Sequence, residues 1–152
     1  MPFRFRAQPA LDLRIKQDDL AQKAAADAET RRNRARDARD AAVRAVADSI
    51  ARANDDVGRN PADASMRTWY RNWIVAKRQG LARCERDLEV RERELRDAQQ
   101  AAIETRKKRR ALEKFRERRL DTYEQGEHRE EARALDELGT LRFALRSRGG
   151  HT

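Results

Sequence analysis

The 152-residue chain has few means of stopping a helix and little with which to fill a thick core: three prolines, six glycines and 5% aromatic residues. No stretch approaches the ~20 apolar residues that a membrane-crossing helix needs, and the N-terminus has no apolar core like that of a secretory signal. The chain is therefore expected to be soluble and cytoplasmic. A single cysteine, Cys84, excludes an internal disulfide. His128 and His151 have no Cys or His at metal-ligand spacing. A glycine-rich phosphate loop and a nucleophile in a triad-like motif are also missing, so no metal, no cofactor and no catalytic residue is expected.

Charge is abundant, at 41% of residues, with 36 Lys and Arg against 27 Asp and Glu and a formal net charge of +9. That balance favours acidic partners, whether nucleic acid, an anionic membrane or an acidic protein surface, without choosing among them. Hydrophobic residues make up 38%, too few for a layered core. A thin core suffices where two helices each bury one narrow stripe. The expected fold is accordingly all-α, with two long antiparallel helices forming a coiled-coil hairpin in a single domain.

Punctuation places the elements. Residues 1–9 carry two of the prolines together with Phe3 and Phe5 and read as an extended or disordered lead-in. Helix one is expected over about 10–57, roughly 70 Å of rod at 1.5 Å per residue. Its stripe steps by threes and fours through Leu13, Leu20, Ala24, Ala28, Ala35, Ala38, Ala42, Val46, Ser49 or Ile50, Ala53 and Val57. Most of these are alanine, which is strongly helical but buries little area, so this half needs a partner to be stable. A turn is expected at 58–61, where Gly58 stops the first helix, Asn60 caps the next and Pro61 takes its first position. Helix two is expected over about 62–140, with a tail at 141–152 expected to be disordered. Its stripe is Leu81, Cys84, Leu88, Arg91, Leu95, Ala98, Ala102, Thr105, Arg109 and Leu112. Folding about the turn puts Leu11 opposite roughly residue 110, which leaves the end of helix two as an overhang.

Three surface features stand out, each with a plain structural alternative. Trp69, Tyr70, Trp73 and Ala76 follow the turn, with the tryptophans across from Val46 and Ser49. They either cap the hairpin tip or dock a partner. From Thr105 to Arg119 nine bases face two acids, either a solvated helix face or a collar for an anionic partner. From Glu124 to Glu137 six acids face two bases, either a solvated amphipathic tail or the second pole of a charged rod. A protein built only to track phosphate gains nothing from that acidic block.

The opening Phe3-Arg-Phe-Arg and Leu11-Asp-Leu-Arg-Ile precede a charged, alanine-rich helix. Further on stand Lys107-Lys-Arg-Arg-Ala-Leu-Glu-Lys-Phe-Arg-Glu-Arg-Arg119, Tyr123 and Glu130-Glu-Ala-Arg-Ala-Leu-Asp-Glu-Leu138. Over nearly the whole chain this arrangement resembles the FliJ family of flagellar type III export proteins. The YscO-like injectisome stalk proteins share its length and shape. The resemblance implies a non-enzymatic stalk, similar in shape to that of rotary ATPases. Such a stalk binds the ring of the export ATPase, FliI, with its regulator FliH and export chaperones, and also the cytoplasmic domain of the export gate, FlhA. It would meet the inner membrane peripherally, through the gate, at the flagellar base. The positions matching the family's gate-binding surface are Ala35, Arg39, Ala42, Val46, Trp69, Trp73, Ala76 and Gly80, of which Arg39 and Gly80 depart from an apolar or aromatic pattern. The collar expected to meet the ATPase is Arg106, Lys107, Lys108, Arg109, Arg110, Lys114, Arg116, Arg118 and Arg119. No specific nucleic acid is expected in this reading. A basic coiled coil that binds nucleic acid, an injectisome secretion stalk and a purely structural spacer remain as alternatives.

Overall fold

The computed structural model describes residues 2–150, of which nothing breaks the helical run after Pro9 until the segment around Asn60. Of the described residues 93% are helical, with no strand among them, and two long helices pack against each other as a hairpin. Helix α1 spans Gln8–Arg59 and α2 spans Ala64–Gly149. Pro9 falls in the first turn of α1, where its missing N–H leaves no bond unmade.

The turn lies two residues later than the sequence suggests. Gly58 is still helical, and no described residue has positive φ, so glycine's freedom is not used there. The Asn60 N–H and its side-chain Nδ2 both donate to the Asp56 carbonyl, at 3.1 and 3.3 Å. Asn60 thus closes α1 instead of capping α2. Its own carbonyl accepts from the Asp63 N–H at 3.1 Å, which makes Asn60–Asp63 a β-turn with Pro61 at the position whose φ proline already holds. The cap of α2 is Asp63, whose Oδ1 accepts from the Met66 N–H at 3.0 Å. A carboxylate there satisfies an orphan donor and favours the helix dipole, together worth about 1 kcal/mol.

By its contacts the chain divides into a loop unit, residues 17–105, and a terminal unit, residues 1–16 with 106–152. In the loop unit every expected α2 seam residue from Leu81 to Thr105 is buried or half-buried. On α1 the expected stripe holds at Ala28, Ala35, Ala42, Val46, Ser49, Ile50, Ala53 and Val57. It fails at Ala38 and Ala24, which are exposed, and at Leu20, 68% exposed. In their place Ala21, Ala25 and Asp18 face inward, Asp18 with 2% exposure. The reason is periodicity. Steps of four from Leu20 through Ala24 to Ala28 overrun the seven-residue repeat that keeps a stripe on one partner, whereas Asp18, Ala21, Ala25 and Ala28 preserve it.

Asp18 is accommodated by a polar layer. The Gln22 Nε2 donates to Asp18 Oδ1 at 3.1 Å and approaches the Ala102 carbonyl at 3.3 Å. Thr105 Oγ1 sits 3.5 Å from the same carboxylate oxygen and 3.0 Å from the Ala102 carbonyl. Farther along, Arg91 neutralises itself on its own helix, 3.5 Å from Asp87 and 3.1 Å from Glu94. Buried Ser49 returns its hydroxyl to the Ala45 carbonyl at 2.6 Å. The Nε of Arg32 and Oδ1 of Asn33 are buried with no hydrogen-bond partner, a cost the thin seam carries.

The terminal unit departs most from expectation. Leu11 is buried, at 4% exposure, and Leu13 is exposed, the same two-residue correction as from Leu20 to Asp18. Pro2–Phe5 are non-helical, as expected, but they are packed. Phe3 lies 5.5 Å from Tyr123 and Phe5 lies 5.6 Å from Phe115, ring centre to ring centre. The lead-in therefore accompanies α2 as far as Tyr123, and the all-exposed part of α2 begins at His128 instead of near residue 111. The expected disordered tail from residue 141 is helical to Gly149, because Leu, Ala and Arg there are strong helix formers and no proline intervenes. Met1, His151 and Thr152, which belong to the two expected tails, lie outside the described residues.

Candidate functional site

Among the described residues no group of three or more His, Cys, Asp or Glu is placed to hold a metal ion. His128 is exposed, with Glu131 3.8 Å away, and Cys84 is half-buried in the seam. His151 lies outside the described residues. No helix is long and apolar enough to cross a membrane. The sites to weigh are therefore surfaces.

The aromatic cluster after the turn is built around Tyr70, not the tryptophans. Counting back along the α2 seam from Leu81 by four, three and four reaches Lys77, Ile74 and Tyr70, so the heptad carries the tyrosine inward. Tyr70 is buried and its hydroxyl donates to the Asp56 carboxylate across the hairpin. This bond sets the cluster two turns nearer the tip than Val46 and Ser49. Trp69 stays 59% exposed, edge-on to Tyr70 at 4.9 Å and stacked on half-buried Trp73 at 5.3 Å, with the Lys77 ammonium 5.9 Å from the Trp73 ring.

The bond to Asp56 and the carboxylate's charge raise the Tyr70 pKa above the phenol's usual value near 10. A raised folded-state value means the contribution is complete below pH 10 and is lost as pH climbs through the raised pKa. Tyr70→Phe is thus expected to lose less melting temperature between pH 9 and pH 11 than the unsubstituted chain does, the difference being the part that the Tyr70 phenol carries. The unsubstituted chain loses stability over that interval. Parallel alkaline melting curves for both proteins would remove the bond from the account.

The other gate-set residues divide by position. Ala35 is buried in the seam and touches no partner while the helices are together. Arg39 is half-buried and pairs with its neighbour Asp40 at 2.8 Å. Ala42 and Ala45 of α1 share a shallow groove of about 520 Å³ with Ala76, Gly80 and Cys84 of α2. Val46 is half-buried. Trp69 lines a different depression, with Ala64, Ser65, Thr68 and Asn72. The structure thus brings Ala42, Ala76 and Gly80 together and stacks Trp69 on Trp73, as two patches.

The basic collar also divides. Arg109 and Arg116 lie on the seam face and are half-buried. The Arg109 Nε is 2.7 Å from Glu113, and the Arg116 Nε donates to Gln8 at 3.2 Å while its guanidinium stands 5.7 Å from the centre of the Phe3 ring. Arg119, exposed, stands over Phe115 at 5.2 Å. Arg106, Lys107, Lys108, Arg110, Lys114 and Arg118 are exposed. The docked Phe3 and Phe5, with Arg4 and Arg6 between and beside them, are the residues that sequence reasoning missed. Their signal was the alternation Phe-Arg-Phe-Arg, which sends aromatics to one side and cations to the other in extended chain.

Two helices packed along a shared seam, with aromatic and basic patches on the outside, define a helical-hairpin protein. The family model described as Flagellar FliJ protein matches residues 3–148, nearly the entire chain. The chain belongs to the FliJ family and is a flagellar export-associated protein. Searches of curated proteins and of solved structures return no match.

Proposed function

We propose that this chain is a non-enzymatic stalk of the flagellar type III export apparatus. In this reading the collar and the α2 extension bind the ring of the export ATPase FliI, beside its regulator FliH. The patches near the turn bind the cytoplasmic domain of FlhA, and the same chain hands on export chaperones. It acts in the cytoplasm and meets the inner membrane only through the gate. The observation that carries the reading is the family match over residues 3–148, joined to a hairpin with separate aromatic and basic patches.

For the gate, Trp69, Trp73, Ala42, Ala76 and Gly80 are the contacts, with Val46 at the margin. Ala35 contributes by letting the helices approach, and Arg39 supplies a polar rim. Trp69→Ala with Trp73→Ala should weaken binding to the isolated gate domain at least tenfold while moving the melting temperature by no more than a few degrees, since Trp69 is mostly exposed. Unchanged gate binding with a large fall in melting temperature would assign the pair to holding the tip together. The nucleic-acid alternative predicts retardation of DNA at submicromolar protein with steep salt dependence. The stalk reading predicts preference for the purified export ATPase over DNA, and a spacer would bind neither.

A further inference from the structure

Of the features that the proposed function leaves unused, the lead-in carries the most structure. Phe3 and Phe5 are half-buried against Tyr123 and Phe115, while Arg4 and Arg6 alternate outward and are exposed. With Arg119 they border a cleft of about 560 Å³ whose floor is aromatic. The rings meet at tilts of 49° and 58°, and Arg116 and Arg119 stand over Phe3 and Phe115, so the cleft offers bases little flat ring surface to stack on. The positive surface is also short. Glu124, Glu127 and Glu130 follow Tyr123 at once, and Glu127 accepts a hydrogen bond from the tyrosine hydroxyl. A phosphate backbone running past Tyr123 would meet these carboxylates, whereas a compact cluster of carboxylates would not.

We propose that the Phe3–Arg6 segment and the Phe115–Tyr123 stretch of α2 form a docking cleft for a carboxylate-rich segment of a partner protein. Arg4, Arg6 and Arg119 are its cations and the aromatic contacts hold them in place. The cleft extends the reading of the collar as a protein-facing surface and rests on it. Arginine suits the role because its planar fork meets a carboxylate with two parallel bonds.

The test uses the full chain, a fluorescent deca-glutamate peptide and a single-stranded oligonucleotide of equal charge, read by anisotropy. The peptide is expected to bind more tightly than the oligonucleotide. Arg4→Ala with Arg6→Ala should weaken peptide binding about tenfold, and Phe3→Ala with Phe5→Ala should do the same with every charge retained. Both pairs lie before α1, so helix content by circular dichroism should hold. Peptide binding that survives the phenylalanine substitutions, or tighter binding of the oligonucleotide, overturns the cleft. Binding to the purified export ATPase, measured separately, reports on the stalk reading alone. A chain that binds the ATPase yet shows no cleft dependence keeps that reading and loses this one.

Discussion

Leu88→Ala combined with Leu95→Ala is expected to lower the melting temperature by about 15 °C and to remove about 5 kcal/mol of unfolding free energy. Both leucines are buried. At the register set by Asp18 and Thr105, Leu88 stands level with Ala35 and Leu95 with Ala28, so large side chains of α2 meet alanines of α1. Alanine offers almost no volume to refill a gap. Deleting a buried leucine typically costs about 2–5 kcal/mol, and a domain holds roughly 5–15 kcal/mol in all. The lower part of that range applies, since a two-helix seam lies close to water and collapses partly. Leu13→Ala with Leu20→Ala is the matched control, and these exposed residues should cost no more than about 0.5 kcal/mol each. Thermal melts followed at 222 nm decide it. Equal losses from the two pairs would mean that α1 faces its partner with Leu13 and Leu20 after all.

Reversing Lys108, Arg110, Lys114 and Arg118 to Glu is expected to weaken binding to the purified export ATPase about 100-fold at low salt and progressively less as salt is raised. All four are exposed, so the change acts on the field outside the helix. Arg110, Lys114 and Arg118 stand four residues apart, and the repulsion along that row is the same for three negative charges as for three positive ones. Helicity should therefore hold. A variant that reverses Arg109, Arg110, Arg116 and Arg119 instead is a poorer probe, because Arg109 and Arg116 are half-buried on the seam face and Arg116 is tied to Gln8. Unaltered ATPase binding by the exposed-face variant would take the collar out of the mechanism.

The α2 seam could be read directly, because Leu88, Leu95 and Ala102 recur at seven-residue intervals and nothing competes with them. The α1 seam could be read only where it is apolar. Before Ala28 the repeat passes through Asp18, and a hydrophobicity count discards a carboxylate that Gln22 and Thr105 make acceptable. Leu13 and Leu20 offered a false alternative two residues away. The same bias hid Tyr70 behind two tryptophans, although the repeat led to it. The turn was placed correctly to within a few residues, but Asp63 outcompetes Asn60 as a cap once Pro61 is spent on the turn. The alternation Phe-Arg-Phe-Arg shows that Phe3 and Phe5 share a side, but what they dock on depends on where the distant Phe115 and Tyr123 end up once the helices have folded. Of the residues expected at the gate, the burial of Ala35 followed only from packing.

The carboxylate of Asp18 has a single comfortable station along its neighbour, beside Thr105. A shift of seven residues in either direction would set it level with Ala98 or with Leu112, leaving it the Gln22 amide of its own helix but no hydroxyl across the seam. Two alanine-lined cylinders would otherwise slide past each other at small cost. With that notch the helices of the loop unit are keyed to one register, as a shaft is held in its collar.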